Sequence, residues 1–173
     1  MMISQYPSGS LLAWKPNSIV GHFICWMTKS DYSHVGLLWR FHGRYYVLEA
    51  IWNGGVRIRL LKEDLPVYVL PTNIKWTDDV EECAVRKLGR MYHFLDALRV
   101  GLNMNPHIYD SEICSHYVAN ILHKAGMNIP DDKPLRPDDV VNFVLNHNGD
   151  KIEMITSIES RKGIKGFWDT FKN

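Results

Sequence analysis

Just past Pro71 the spacing of apolar residues changes from every second position to the three-and-four spacing of a helix. No other feature restricts the fold as much. Before that point the chain predicts short strands. Ser10–Lys15 is a short apolar run between Gly9 and Pro16. His34–Phe41 and Arg44–Ile51 flank the turn His42-Gly43, where the glycine supplies a positive φ. Asn53-Gly54-Gly55 turns the chain into Val56–Leu61, with Val56, Ile58 and Leu60 on one face and arginines on the other. Pro66–Leu70 is a fifth strand, and together the strands read as an antiparallel meander. One helix interrupts them, Asn17–Lys29, capped by Asn17 or Ser18 and carrying Ile19, Phe23, Trp26 and Met27.

Beyond Pro71 the elements are helical. Thr77 caps a helix with acids in its first turn and Arg86, Lys87 and Arg90 near its end, a polarity that suits the helix dipole. Val80, Cys83, Ala84, Leu88 and Met91 form its expected buried stripe. His93–Leu102 starts a second helix. Asp110 or Ser111 caps a third, whose inner face holds Cys114, Val118, Ile121 and Ala125 and which stops at Gly126. Pro137 opens a fourth, running to about Asn146, and Lys151–Ile155 is one further strand. Strands first and helices afterwards make an α+β class, with residues 1–150 as one domain and 151–173 as a C-terminal extension.

Composition excludes several functions. Lysine plus arginine is 20 against 19 for aspartate plus glutamate, a net charge of +1, so a protein built mainly to hold nucleic acid is not expected. No stretch of 18 apolar residues and no basic-then-apolar start occurs. A soluble chain with neither transmembrane segment nor signal peptide is therefore expected, cytoplasmic or carried in a virion. Three cysteines cannot form a disulfide framework, and at least one thiol must be free.

That free thiol directs attention to Cys114. A helix start supplies partial positive charge and lowers a thiol's pKa, and of the three cysteines only Cys114 has that placement. Cys25, among Phe23, Ile24 and Trp26, and Cys83, on an apolar stripe, read as small buried hydrophobes. A nucleophilic cysteine needs a base, and the base needs a third group to orient it. Among eight histidines, His34 stands where a loop enters a strand, followed by a glycine at 36 that admits other backbone. Glu49 is the one acid inside the apolar strand 45–50. In an antiparallel pair the start of one strand lies beside the end of the other, so His34 and Glu49 can meet, and an ionised glutamate inside such a strand needs a partner. The competing reading pairs Glu49 with Arg57 or Arg59 of the next strand.

Four segments in order, Ser33-His34-Val35-Gly36, Val47-Leu48-Glu49-Ala50 with Gly55-Val56, Leu88-Gly89-Arg90-Met91-Tyr92, and Ile113-Cys114-Ser115, resemble the permuted NlpC-type papain-like hydrolases, including the YiiX-like group. The resemblance covers about residues 8–145. It implies a circularly permuted papain-like fold, an antiparallel half-barrel sheet packed on a helical layer with a cleft between. It also implies Cys114 as nucleophile, His34 as general base and acid, and Glu49 as the group orienting His34. Tyr92, Ser33 and Ser115 are the expected substrate contacts, with Tyr92 as pocket wall or oxyanion donor. Cys114-Ser115-His116-Tyr117-Val118 is also similar to the Cys-Glu-His-Phe-Val signature of the lecithin:retinol acyltransferase family. The implied activity is that of a thiol hydrolase, a peptidase or amidase with cell-wall peptide as leading substrate. The related alternative is a lipid acyltransferase or esterase.

Other readings carry less. No His-Glu-x-x-His and no Cys-x-x-Cys occurs, and His116 and His123 lie about two turns apart, so no protein-bound metal or cofactor is expected. Asn53-Gly54-Gly55 is a turn and not a phosphate loop. In the tail, Ile164, Phe167, Trp168 and Phe171 share one helical face beside several lysines, a pattern that suits peripheral membrane contact, docking in an assembly, or packing on the chain's own domain. The non-enzymatic alternative is a structural or interaction protein of a phage particle or envelope assembly that keeps the fold.

Overall fold

In a computed structural model of the chain, the residues described are 3–61, 66–91, 113–130, 135–148 and 152–155. They form a mixed α+β arrangement. Six strands, β1 (Leu11–Trp14), β2 (His34–Phe41), β3 (Arg44–Ile51), β4 (Gly55–Leu60), β5 (Val67–Leu70) and β6 (Glu153–Ile155), make one open sheet in the order β4-β3-β2-β1-β5-β6. Every pairing is antiparallel. Four helices accompany it: α1 (Ile19–Thr28), α2 (Asp78–Arg86), α3 (Cys114–Lys124) and α4 (Pro137–Asn148).

The meander holds for β1 to β4 but not for the fifth strand. β5 crosses to the far side and pairs with β1, leaving β4 at the edge. The sequence reading missed this because β1 has two neighbours to satisfy, and strand composition does not say which strand fills the second place. β6 lies within the stretch read as an extension, yet it pairs with β5 and its Ile155 is fully buried.

Alternation along the strands sends side chains into two cores. Leu11, Ala13, Val35, Leu37 and Leu48 face the helices, where Val80, Tyr117, Val118, Ile121 and Val140 pack on them. Leu12, Trp14, Leu38 and Val47 face the opposite side, against Ile3, Tyr6, Val67 and Ile155. An 11-residue helix such as α3 is marginal in isolation. Tyr117, Val118, Ile121 and Leu122 bury completely and supply about 1.5–3 kcal/mol each, so packing holds α3 in place. Two polar ties lock the layers together. Trp39 and Trp76 both donate from Nε1 to Glu81 Oε2 at 2.9 Å, and the Tyr117 hydroxyl donates to the Ala84 carbonyl at 3.0 Å.

The caps at Ser18 and Thr77 form as expected, with Ser18 Oγ accepting from Gly21 N–H at 3.1 Å and Thr77 accepting from Val80 N–H. Two stripes differ from expectation. On α1, Ile19 and Trp26 are exposed and Cys25 is only half-buried, because the apolar residues surround this helix without marking a core face. Met91 is also exposed, because α2 ends at Arg86 and the helical spacing lapses before residue 91.

Two glycines allow close approach near the site. A Cβ at Gly36 would lie 3.0 Å from the Leu48 carbonyl oxygen, which lets β2 and β3 meet tightly next to His34 and Glu49. Gly55, at φ +66°, is closed to side chains altogether, since a Cβ there would stand 2.0 Å from the Arg90 carbonyl oxygen. That carbonyl accepts from Val56 N–H at 2.9 Å, so β4 anchors the segment 88–90.

Candidate active site

His34 opens β2 and Glu49 lies near the end of β3, on the sheet face opposite the helices. Trp14, cross-strand from His34, packs its ring 5.3 Å from the imidazole at a 35° tilt and holds the ring's plane. The His34 Nε2–H donates to Glu49 Oε2 at 2.9 Å. Cys114 also hydrogen-bonds the His34 side chain.

The two readings of Glu49 prove compatible. Its carboxylate is 1% exposed and is held by three cationic side chains at once. Arg57 lies directly across from it in the β3–β4 register and donates from Nε at 2.8 Å. Arg59, one pleat further on the same face, donates from Nε to Oε1 at 2.6 Å and from a terminal nitrogen to Oε2 at 3.2 Å. Burial raises a carboxyl's pKa, but the hydrogen bonds and charges of His34 and Arg59 outweigh it and hold Glu49 well below the usual carboxylate range. It is a permanent anion.

Cys114 is the first residue of α3. Ile113 occupies the N-cap position and no side chain caps the helix. This corrects the expectation of a cap at Asp110 or Ser111, which lie outside the described residues. It also has a use, since a capping side chain would occupy the N–H groups that an uncapped helix start leaves open. Burial raises the Cys114 thiol pKa, but the imidazole's hydrogen bond and charge and the backbone N–H groups of Val35 and Ser115 bring it below its ordinary value. For His34, burial lowers the pKa, while the bonds to Cys114 and Glu49 prevail and raise it to about 9. The two shifts have one cause, since each group stabilises the charged form of the other.

The remaining expected residues divide. Ser33 lines the cleft beside His34, and its hydroxyl donates to the Trp14 carbonyl at 3.3 Å. The Ser115 hydroxyl is buried and donates to the Leu135 carbonyl, so its side chain is spent on the fold and the site receives its backbone N–H. Tyr92 lies outside the described residues, as do the helix expected over 93–102 and the amphipathic tail.

Sequence reasoning missed one positioning group. Asp138, in the first turn of α4, accepts from Ser30 Oγ at 2.9 Å, from Asp31 N–H at 2.9 Å and from Tyr32 N–H at 3.3 Å. It fastens the loop that delivers His34. Its only sequence signal was an acid following a helix-opening proline, which reads equally well as a favourable dipole contact.

No protein-family model and no curated protein sequence matches the chain. Among solved structures it is similar to the crystal structure of the metalloprotein YiiX from Escherichia coli O157:H7, DUF1105. The TM-score is 0.58 at 19% identity, over 90% of this chain and 99% of that one. The chain therefore has the YiiX fold. Among its described residues, no helix is long and apolar enough to cross a membrane.

Proposed function

We propose that this chain is a papain-like cysteine hydrolase of the permuted NlpC type, cleaving an amide or peptide bond through a thioester. The observation that carries the reading is the continuous line Cys114–His34–Glu49, with the thiol on the first residue of a helix and the carboxylate buried behind the imidazole. In this reading the Cys114 sulfur attacks the substrate carbonyl carbon, and negative charge collects on the carbonyl oxygen, stabilised by N–H groups at the helix start. The C–N bond then breaks, and the leaving amine takes a proton from His34. Next, water attacks the thioester and gives a proton to His34. The acid departs and the thiolate returns. Glu49 fixes the ring throughout and stays ionised.

Cell-wall peptide is the substrate class proposed, resting on the resemblance of the four motifs. The Cys114–Val118 segment keeps transfer to or from an acyl lipid as the second reading.

YiiX is described as a metalloprotein. The described residues around the site are otherwise engaged. Among the described residues no group of three or more histidine, cysteine or acidic side chains is placed to hold an ion. Both oxygens of Glu49 face cations, the His116 ring accepts from Leu135 N–H, and the His123 ring bonds the Ile129 carbonyl.

The test is the pH profile of iodoacetamide alkylation at Cys114, read by mass spectrometry in the native chain and in His34→Ala. Reactivity already high near pH 6, and lost without His34, is the expected result. A Cys114 that behaves as an ordinary thiol, or is indifferent to His34, overturns the hydrolase reading and leaves an interaction protein.

A further inference from the structure

Beside the His34–Glu49 pair lies a cleft of about 870 Å³, lined by the ends of β1 to β4, Pro66 and Tyr68. The whole chain is nearly neutral, with 20 basic and 19 acidic residues. The cleft is not. Among the described residues its wall holds Lys15, Arg57 and Arg59 against a single carboxylate, Glu49. Glu49 is 1% exposed and lies under the arginines, so a molecule in the cleft meets the cations first. Arg57, 43% exposed, turns one edge to Glu49 and retains further N–H donors.

Two of these cations are held by aromatic faces. The Lys15 ammonium stands 5.3 Å from the centre of the Tyr68 ring, and the Arg59 guanidinium 5.7 Å from that of Trp14. A ring face orients a cation without cancelling its charge. Excess charge of one sign in a concave, partly apolar wall concentrates counter-ions there.

We propose that this cleft selects substrates carrying an anionic group, a carboxylate or a phosphate, bound by Lys15 and Arg57 beside His34, the residue through which the cleft joins the site of Cys114. This deepens the hydrolase reading and rests on it for the reaction, while the anion site itself stands on the cleft's charge alone. Lys15 and Arg57 are its specificity determinants, and the anion makes charge-assisted hydrogen bonds with them.

Two measurements on the full chain separate the claims. In the first, Cys114 is alkylated with iodoacetate and with iodoacetamide, reagents that lose the same iodide and differ in charge. The ratio of the two rates cancels any change in the thiolate itself. The native ratio is expected to fall about fivefold in Lys15→Gln, to recover in Lys15→Arg, and to shrink as salt is raised. A ratio unmoved by Lys15→Gln overturns the proposal. In the second, phenyl phosphate and phenylacetate are titrated calorimetrically into the native chain and into Lys15→Gln. Binding weakened by the substitution supports the site, and the tighter ligand tells phosphate from carboxylate. Absence of binding by both, or binding indifferent to Lys15, overturns it. If the anion binds through Lys15 while iodoacetamide finds no activated thiol, the hydrolase reading fails and the anion site stands.

Discussion

Three helices of this chain each carry a cysteine, and the thiols of α1 and α3 run in opposite chemical directions. Cys25 lies in the interior of α1, where burial and then the charges of Asp138 and Asp31 push its pKa up to about 11. Cys114 lies at the first residue of α3, where burial is overcome by an imidazole and two backbone N–H groups and the pKa falls. Burial penalises both thiols. The difference is made by what each meets next, carboxylates in one case and hydrogen-bond donors in the other.

The largest expected effect reads that contrast directly. At pH 7 iodoacetamide should label Cys114 about 100-fold faster than Cys25, the gain in thiolate fraction being partly offset by the lower nucleophilicity of a low-pKa thiol. Peptide mapping after timed quenching gives both rates in one sample. Labelling at comparable rates would erase the contrast.

A smaller effect tests whether Glu49 sustains it. Glu49→Gln keeps the side chain's shape but removes the charge that helps hold His34 protonated, so Cys114 labelling at pH 6 should fall about tenfold. The same variant leaves Arg57 and Arg59 facing a neutral amide. With the partial exposure of Arg57 discounted, the loss of stability should be about 2 kcal/mol, measurable by urea unfolding. An unchanged unfolding midpoint would mean that solvent already carries the arginines.

The finest distinction is thermodynamic. His34 has its pKa raised from 6.5 to about 9, so its contribution to stability is fully present below 6.5 and is lost as pH rises through about 9. Cys114, lowered from 9.0, contributes fully above 9 and loses that contribution as pH falls. Where the folded pair is imidazolium with thiolate and the unfolded pair imidazole with thiol, each holds one proton and the opposing slopes cancel. Cys114→Ser takes away the thiol's contribution and also its share of what raises His34, leaving only the share of Glu49. Relative to the native chain, the variant should therefore lose about 1–2 °C of melting temperature as pH rises from 6.5. Parallel melting curves for the two proteins would show that no ion pair forms.

Local signals carried most of what the sequence revealed. The limits of β2 and β3 followed from alternation around one glycine turn, and Ser18 and Thr77 announced their helices because capping is decided within four residues. The meeting of His34 with Glu49 was legible for the same reason, since a short hairpin fixes its own register. Beyond the hairpin, proximity depends on docking, and the signals weaken. The move of β5 to the side of β1 and the fastening of Ser30–Tyr32 by Asp138 join elements with no local cue between them. The order of the four motifs supplied what periodicity could not, the partnership of Cys114 with His34.

The Asp138 clasp bears on when this protein becomes reactive during its own synthesis. The loop entering β2 is completed by a carboxylate that follows it at a sequence separation of 107 residues. Five of the six sheet strands emerge from the ribosome first, the thiol much later, and the carboxylate that fixes the imidazole's approach later still. At about 5–20 residues per second, several seconds separate the first of these from the last. Over the last part of that interval, between residues 114 and 138, the cysteine is present without a fully positioned base. Vectorial synthesis thus completes the surroundings of His34 only after Cys114 has been made.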